Sequence, residues 1–122
     1  MTTPSYQKFS GPAHGELALG LAFGDFTFDF LTRRVGLHGQ PMPLPTTEFD
    51  LLVCLARRAG QPASHAELWC EVWGCSSETG GTLDQIRCCV WRARQVIEPN
   101  PAQPRYLLTV GGYGYLLRPM ID

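Results

Sequence analysis

Nothing in these 122 residues argues for a membrane span, a secreted scaffold or a reaction centre. No apolar run approaches the ~20 residues that a bilayer-spanning helix needs, and the longest candidate, Leu17 to Phe23, is interrupted by Gly20. Lys8 is the only base near the start and no small-residue cleavage pattern follows, so a secretory signal is not expected. The chain is expected in the cytoplasm, at the nucleoid. CxxC spacing is also missing. Cys54, Cys70, Cys75, Cys88 and Cys89 are odd in number, which fits free thiols better than a disulfide framework. A metal or thiol sensor using Cys70, Cys75, Cys88 and His65 is poorly supported, because the adjacent Cys88 and Cys89 point about 100° apart on a helix. The sequence contains no paired carboxylates in a Gly-bounded motif, no nucleophile elbow and no dinucleotide fingerprint. An enzyme is therefore not expected, nor a cofactor. Internal repeats are absent as well.

Net charge is nearly absent too, at −1, and its distribution is more informative than its sum. Residues 1–83 carry five bases and eight acids, whereas residues 84–118 carry Arg87, Arg92, Arg94, Arg105 and Arg118 against Asp84 and Glu98. A cationic C-terminal segment on an acidic body can form a local phosphate-binding face without a basic overall composition. The 44% apolar and 17% charged content is that of a folded chain, and its length fits a single domain.

The pattern divides the chain into a flexible tail or linker remnant at 1–20, one domain at 21–118 and a C-terminal tail at 119–122. Phe23, Phe26, Phe28 and Phe30 bracket Asp25 and Asp29, and Val35, Leu37, Met42 and Leu44 follow across Gly-bearing turns. That texture predicts a small antiparallel sheet of three or four strands. A first helix is expected from Thr46 or Thr47, with Phe49, Leu51, Leu52 and Leu55 as its stripe and Gly60 as its stop. Ser64 and Glu67 have capping-box spacing for a second helix, which carries Trp69 and Trp73 and ends at Gly74. Thr82 and Gln85 repeat that spacing after a polar, Gly-rich loop. They open a third helix of about 83–98, which Pro99 stops. Tyr106 to Val110 and Tyr115 to Leu117 flank Gly111-Gly112-Tyr113-Gly114 and read as a hairpin. Sheet, three helices and hairpin in that order make an α+β winged helix-turn-helix, with 106–117 as the wing.

The third helix carries the chemistry. At about 100° per residue, Ile86, Val90, Ala93 and Ile97 fall within ~60° of one another and mark the buried face. The opposite face, roughly 80° to 240° around the wheel, holds Arg94, Arg87, Trp91, Gln95, Cys88 and Arg92. Arginine donates two hydrogen bonds to guanine and Gln pairs with adenine in a major groove, while any of the arginines can grip phosphate instead. Exposed Trp91 among arginines argues for a contact surface over a merely solvated helix face. Gly112 and Tyr113 at the hairpin tip supply a second contact with double-stranded DNA.

Several segments also resemble the DNA-binding effector domain of OmpR/PhoB-type response regulators of two-component systems. They are LPTTEFDLL (44–52), GQPASHAELWCEVWG (60–74) and above all RARQVIEPNPAQPRYLLTVGGYGYLL (92–117), and the resemblance spans about residues 21–118. It implies a four-stranded N-terminal sheet, a three-helix core, a C-terminal wing and head-to-tail binding of two copies to direct repeats. By the same resemblance, base and backbone contacts fall on Cys88, Arg92 and Arg94, and the 74–81 loop corresponds to a segment that touches RNA polymerase. The sequence departs from the family pattern at Pro45, Arg87, Trp91 and Gly111, so a target sequence does not carry over. No receiver domain precedes residue 21, which leaves an excised effector domain or a stand-alone regulator as the two expectations. The reading is a sequence-specific transcriptional regulator. Its competitors are a winged-helix protein-interaction module, with polymerase or another regulator as partner, and a thiol- or metal-responsive regulator.

Overall fold

A computed structural model of the chain describes residues 14–17, 19–74 and 82–121, with the side chains of 19–74 and 83–121. The first half is an antiparallel meander of five strands: β1 (His14–Leu17), β2 (Gly20–Phe23), β3 (Phe26–Asp29), β4 (Arg34–Leu37) and β5 (Gln40–Met42), paired in that order. Phe28 lies opposite Leu21 and Val35, and Phe26 lies opposite Phe23 and Leu37, so the apolar positions share one face. Asp29 is buried at the end of β3, where its Oδ1 accepts from the backbone N–H of Leu31 and Thr32 and closes the turn into β4.

Five strands exceed the three or four expected, and the extra one, β1, has a weak pattern. β1, His-Gly-Glu-Leu, lies inside the stretch expected as a tail, and β5 contains Pro41 at the sheet edge. The rest of the tail expectation, residues 1–13 and 18, lies outside the described residues. Residues 119–121 are also tied down. Asp25 donates its backbone N–H to the Pro119 carbonyl at 2.7 Å, and Ile121 packs against the core.

Three helices follow: α1 (Thr46–Arg57), α2 (His65–Trp73) and α3 (Thr82–Ile97). The α1 N-cap is Pro45, not Thr46 or Thr47, and no side chain caps it. Leu51, Leu52 and Leu55 are fully buried along the α1 stripe. In α2 the capping box forms as expected, with Glu67 N–H on Ser64 Oγ at 3.0 Å and Ser64 N–H on Glu67 Oε1 at 2.8 Å. The cap of α3 at Thr82 and the preceding loop from Cys75 lie outside the described side chains. A clasp joins α1 to α2: Arg58 donates to both Glu71 carboxylate oxygens, at 3.1 and 2.6 Å, and the Cys54 thiol donates to Glu71 Oε1 at 3.0 Å. Burial, and then Glu71, push the Cys54 thiol up to about 12, so this sulfur stays protonated and unreactive.

The C-terminal hairpin, β7 (Leu107–Val110) and β8 (Gly114–Leu117), gains a third strand, β6 (Ala63–Ser64), in the order β6-β8-β7. The short connection before α2 is thus part of the wing sheet, which fixes the wing to the helix-turn-helix. Between the two sheets sits one core. Phe28 packs edge-on against Phe49 of α1, and Phe26 edge-on against Tyr106 just before β7. Cys54, Cys88 and Cys89 are free as expected, but Cys70 is disulfide-bonded, which corrects the free-thiol expectation there. No described helix is long and apolar enough to cross a membrane.

Candidate nucleic-acid interface

The outer face of α3 is built by its inner one. Ile86, Val90, Ala93 and Ile97 are buried against the core, with Cys89 beside them, so the remaining positions must face out. Arg87, Cys88, Trp91, Arg92 and Gln95 are exposed, and Trp91 keeps 62% of its surface accessible. Trp91, Arg87, Cys88 and Arg92 line a shallow recess of about 440 Å³, an indole and two guanidinium groups around one thiol. Arg87 makes a loose ion pair with the still more exposed Asp84 at 3.7 Å, a contact that solvent screening leaves weak.

Arg94 departs from the expected reading face. Its Nε and Nη2 both donate to the Leu107 carbonyl, at 3.0 and 2.8 Å, and Nη2 also donates to Thr109 Oγ1 at 3.0 Å. The guanidinium lies 6.0 Å from the Tyr115 ring centre and is half-buried. Desolvation holds its pKa below the ordinary guanidinium value. The physical reason is angular. Arg94 is the face position nearest Val90, at the border of the core, where β7 offers an unpaired carbonyl within reach. Arg94 ties the helix to the wing.

At the wing turn, Gly112 adopts φ +71° and Tyr113 is half-exposed beside it. Tyr113 also serves the fold, since its carbonyl accepts the His65 N–H at 3.0 Å. Gly114, counted with the tip glycines in the sequence, is inside the molecule. A Cβ there would sit 1.8 Å from the Ala63 carbonyl oxygen, so glycine is needed for β6 to pair with β8.

Two carboxylates escaped the sequence reading. Glu98, counted in the sequence only as one of two acids in the cationic segment, is buried and accepts the backbone N–H groups of Arg105, Tyr106 and Leu107 at 2.7 to 3.1 Å. It anchors the start of β7 to the end of α3. Glu48, in the first turn of α1, is 3% exposed, and its Oε2 lies 3.9 Å from Arg92 Nη1. Only the apolar stripe around Glu48 was visible in sequence; the carboxylate within it carried a signal of its own, an acid at a position due for burial. Among the described residues, no group of three or more His, Cys, Asp or Glu side chains could hold a metal ion.

Residues 39–117 match the family described as transcriptional regulatory protein, C terminal. The chain belongs to that family. The same domain type is found in solved structures. One is the DNA-binding domain of Klebsiella pneumoniae RstA in complex with the RstA box, 30% identical with a TM-score of 0.68, covering 83% of this chain and 98% of that one. Another is the response regulator DrrB of Thermotoga maritima, an OmpR/PhoB homolog, 30% identical with a TM-score of 0.67, over 82% of this chain and 44% of that one. The expected OmpR/PhoB type and winged-helix fold therefore hold. Among curated relatives, the DNA-binding dual master transcriptional regulator RpaA of Synechocystis is 40% identical over 79 residues, 65% of this chain. The sensory transduction protein RegX3 of Mycolicibacterium smegmatis is 37% identical over 97 residues, 80% of this chain. The effector domain spans 32% and 42% of the length of those two relatives.

Proposed function

We propose that this domain is a sequence-specific, double-stranded-DNA-binding transcriptional regulator that places α3 in the major groove and the β7–β8 turn against the adjacent backbone. The observation that carries the proposal is the continuous exposed surface of Arg87, Cys88, Trp91, Arg92 and Gln95, held rigid by a fully apolar inner face. Arg87 and Arg92 supply guanidinium donors for guanine or phosphate, Gln95 an amide for adenine, and Trp91 an apolar plane. Gly112 and Tyr113 form the wing contact. Arg94 acts indirectly, by fixing the wing to the helix. The domain acts by binding and catalyses nothing, and it works in the cytoplasm on nucleoid DNA.

Further partners belong to the same proposal: a second copy bound head-to-tail on direct repeats, and RNA polymerase at 74–81. Their support is the family resemblance. In the polymerase segment only Gly74 lies among the described residues.

Selection of duplexes from a randomised pool, followed by affinity measurement on the winner, tests the reading. Arg92→Ala is expected to cost about 1–3 kcal/mol of binding on that duplex, with relaxed preference at one base pair. Enrichment of no sequence, or full affinity in both Arg87→Ala and Arg92→Ala, overturns it.

A further inference from the structure

We propose that Glu48 is a positioning residue for DNA reading: from inside α1 it holds one edge of the Arg92 guanidinium, so that the opposite edge projects from α3 toward base or phosphate. The inference rests on the placement of α3 against DNA proposed above.

The geometry begins with a proline. Glu48 occupies the third position of α1, where an acidic side chain ordinarily reaches back to the N–H of the capping residue. That residue is Pro45, which has no N–H, so the carboxylate is not drawn backward. It turns instead toward α3. Its nearest cation is Arg92 at 3.9 Å, and the Cys89 thiol also bonds to it, burial and Glu48 together raising that thiol's pKa. The partially positive N-terminus of α1 further favours a carboxylate in its first turn. Pro45, Glu48, Trp73, Cys88, Cys89 and Arg92 line one groove of about 580 Å³ that opens beside the outer face of α3.

The pair is asymmetric. The Glu48 side chain is 4% exposed and that of Arg92 is 62% exposed. A buried anion thus lies 3.9 Å from an exposed cation, and its charge biases where the cation goes. Arginine presents five donors in a planar fork, so engagement through Nη1 leaves donors on its other edge. Restricting the side chain before DNA arrives lowers the ordering cost of the contact.

A bystander carboxylate predicts the opposite sign. Removing a negative charge near DNA strengthens binding through long-range attraction alone. Glu48→Gln and the shortened carboxylate Glu48→Asp are therefore compared on two duplexes, the one selected by the unmodified chain and a scrambled one of equal composition. Thermal unfolding checks that each variant is folded. Glu48→Gln is expected to lose up to about tenfold on the selected duplex, the scale of ordering one long side chain, with no loss on the scrambled one. Glu48→Asp is expected to lose affinity in the same direction while keeping its charge. In an Arg92→Ala background, Glu48→Gln should add nothing. Equal or tighter binding of both Glu48 variants to the selected duplex, with Arg92→Ala still impaired, overturns this inference and spares the reading of α3. An undiminished Glu48→Gln loss in the Arg92→Ala background marks a structural role and overturns it as well. Unchanged binding in Arg92→Ala overturns this inference, and unchanged binding in Arg87→Ala as well overturns the reading of α3 with it.

Discussion

Arg92 and Arg94 stand two positions apart on one helix and do different work. Arg92 projects outward with 62% of its side chain exposed, whereas Arg94 spends its donors on Leu107 and Thr109. Their substitutions should therefore separate stability from binding. Arg94→Ala leaves the Leu107 carbonyl without its charged donor and should destabilise the fold by about 1–3 kcal/mol, as loss of a charge-assisted hydrogen bond does. Arg92→Ala, at an exposed site whose ion pair with Glu48 is long at 3.9 Å, should cost less, at most about 1 kcal/mol. Urea unfolding of both variants is the measurement. Equal stability losses in the two would contradict the division of roles. The helical wheel placed both residues on the outer face, which holds for Arg92, whereas Arg94 is half-buried at its border. The wheel could not show that the edge nearest Val90 faces a strand carbonyl contributed from 13 residues further along. Glu98 was hidden for the same reason, since its partners at 105–107 come from the next element.

At the scale of elements, periodicity and punctuation located all three helices and both hairpin strands, because each has a strong apolar stripe or a Gly or Pro boundary. The missed strands β1 and β6 are short and have little pattern; they exist because a neighbouring strand offers its backbone edge. β6 shows how tertiary contact assigns a role that local sequence cannot. Its pairing requires a glycine opposite it at 114, while Gly111 has no atom within 4 Å of an added Cβ. Gly114→Ala should consequently cost on the order of 3 kcal/mol, because the clash is with backbone that cannot rotate away. Gly111→Ala, with open space around the added Cβ, should shift the unfolding midpoint little. If thermal melts show equal effects, β6 does not clamp the wing.

For the whole molecule the issue is how a chain with net charge −1 grips a polyanion. Much of its positive charge is engaged within the fold: Arg33 pairs with Asp50, Arg58 with Glu71, Arg57 lies over Phe30, and Arg94 is bound to β7. Arg34, Arg87, Arg92, Arg105 and Arg118 have exposed side chains, four of them in the cationic segment 84–118. Few phosphates can then be neutralised by one copy, and base contacts must supply much of the discrimination. With about three or four phosphate contacts per copy, log affinity should fall with log salt at a slope of roughly −3, from counterion release. A protein-interaction role for the same helix predicts a shallow slope and no dependence on duplex sequence. A slope near −3 on the selected duplex that is retained on a scrambled one, with affinity lower throughout, would mean that phosphates set the grip while the α3 side chains set the choice. Arg92→Ala separates those functions further: loss of a phosphate contact lowers the slope by about 1, whereas loss of a base contact leaves the slope intact and erases preference at one base pair.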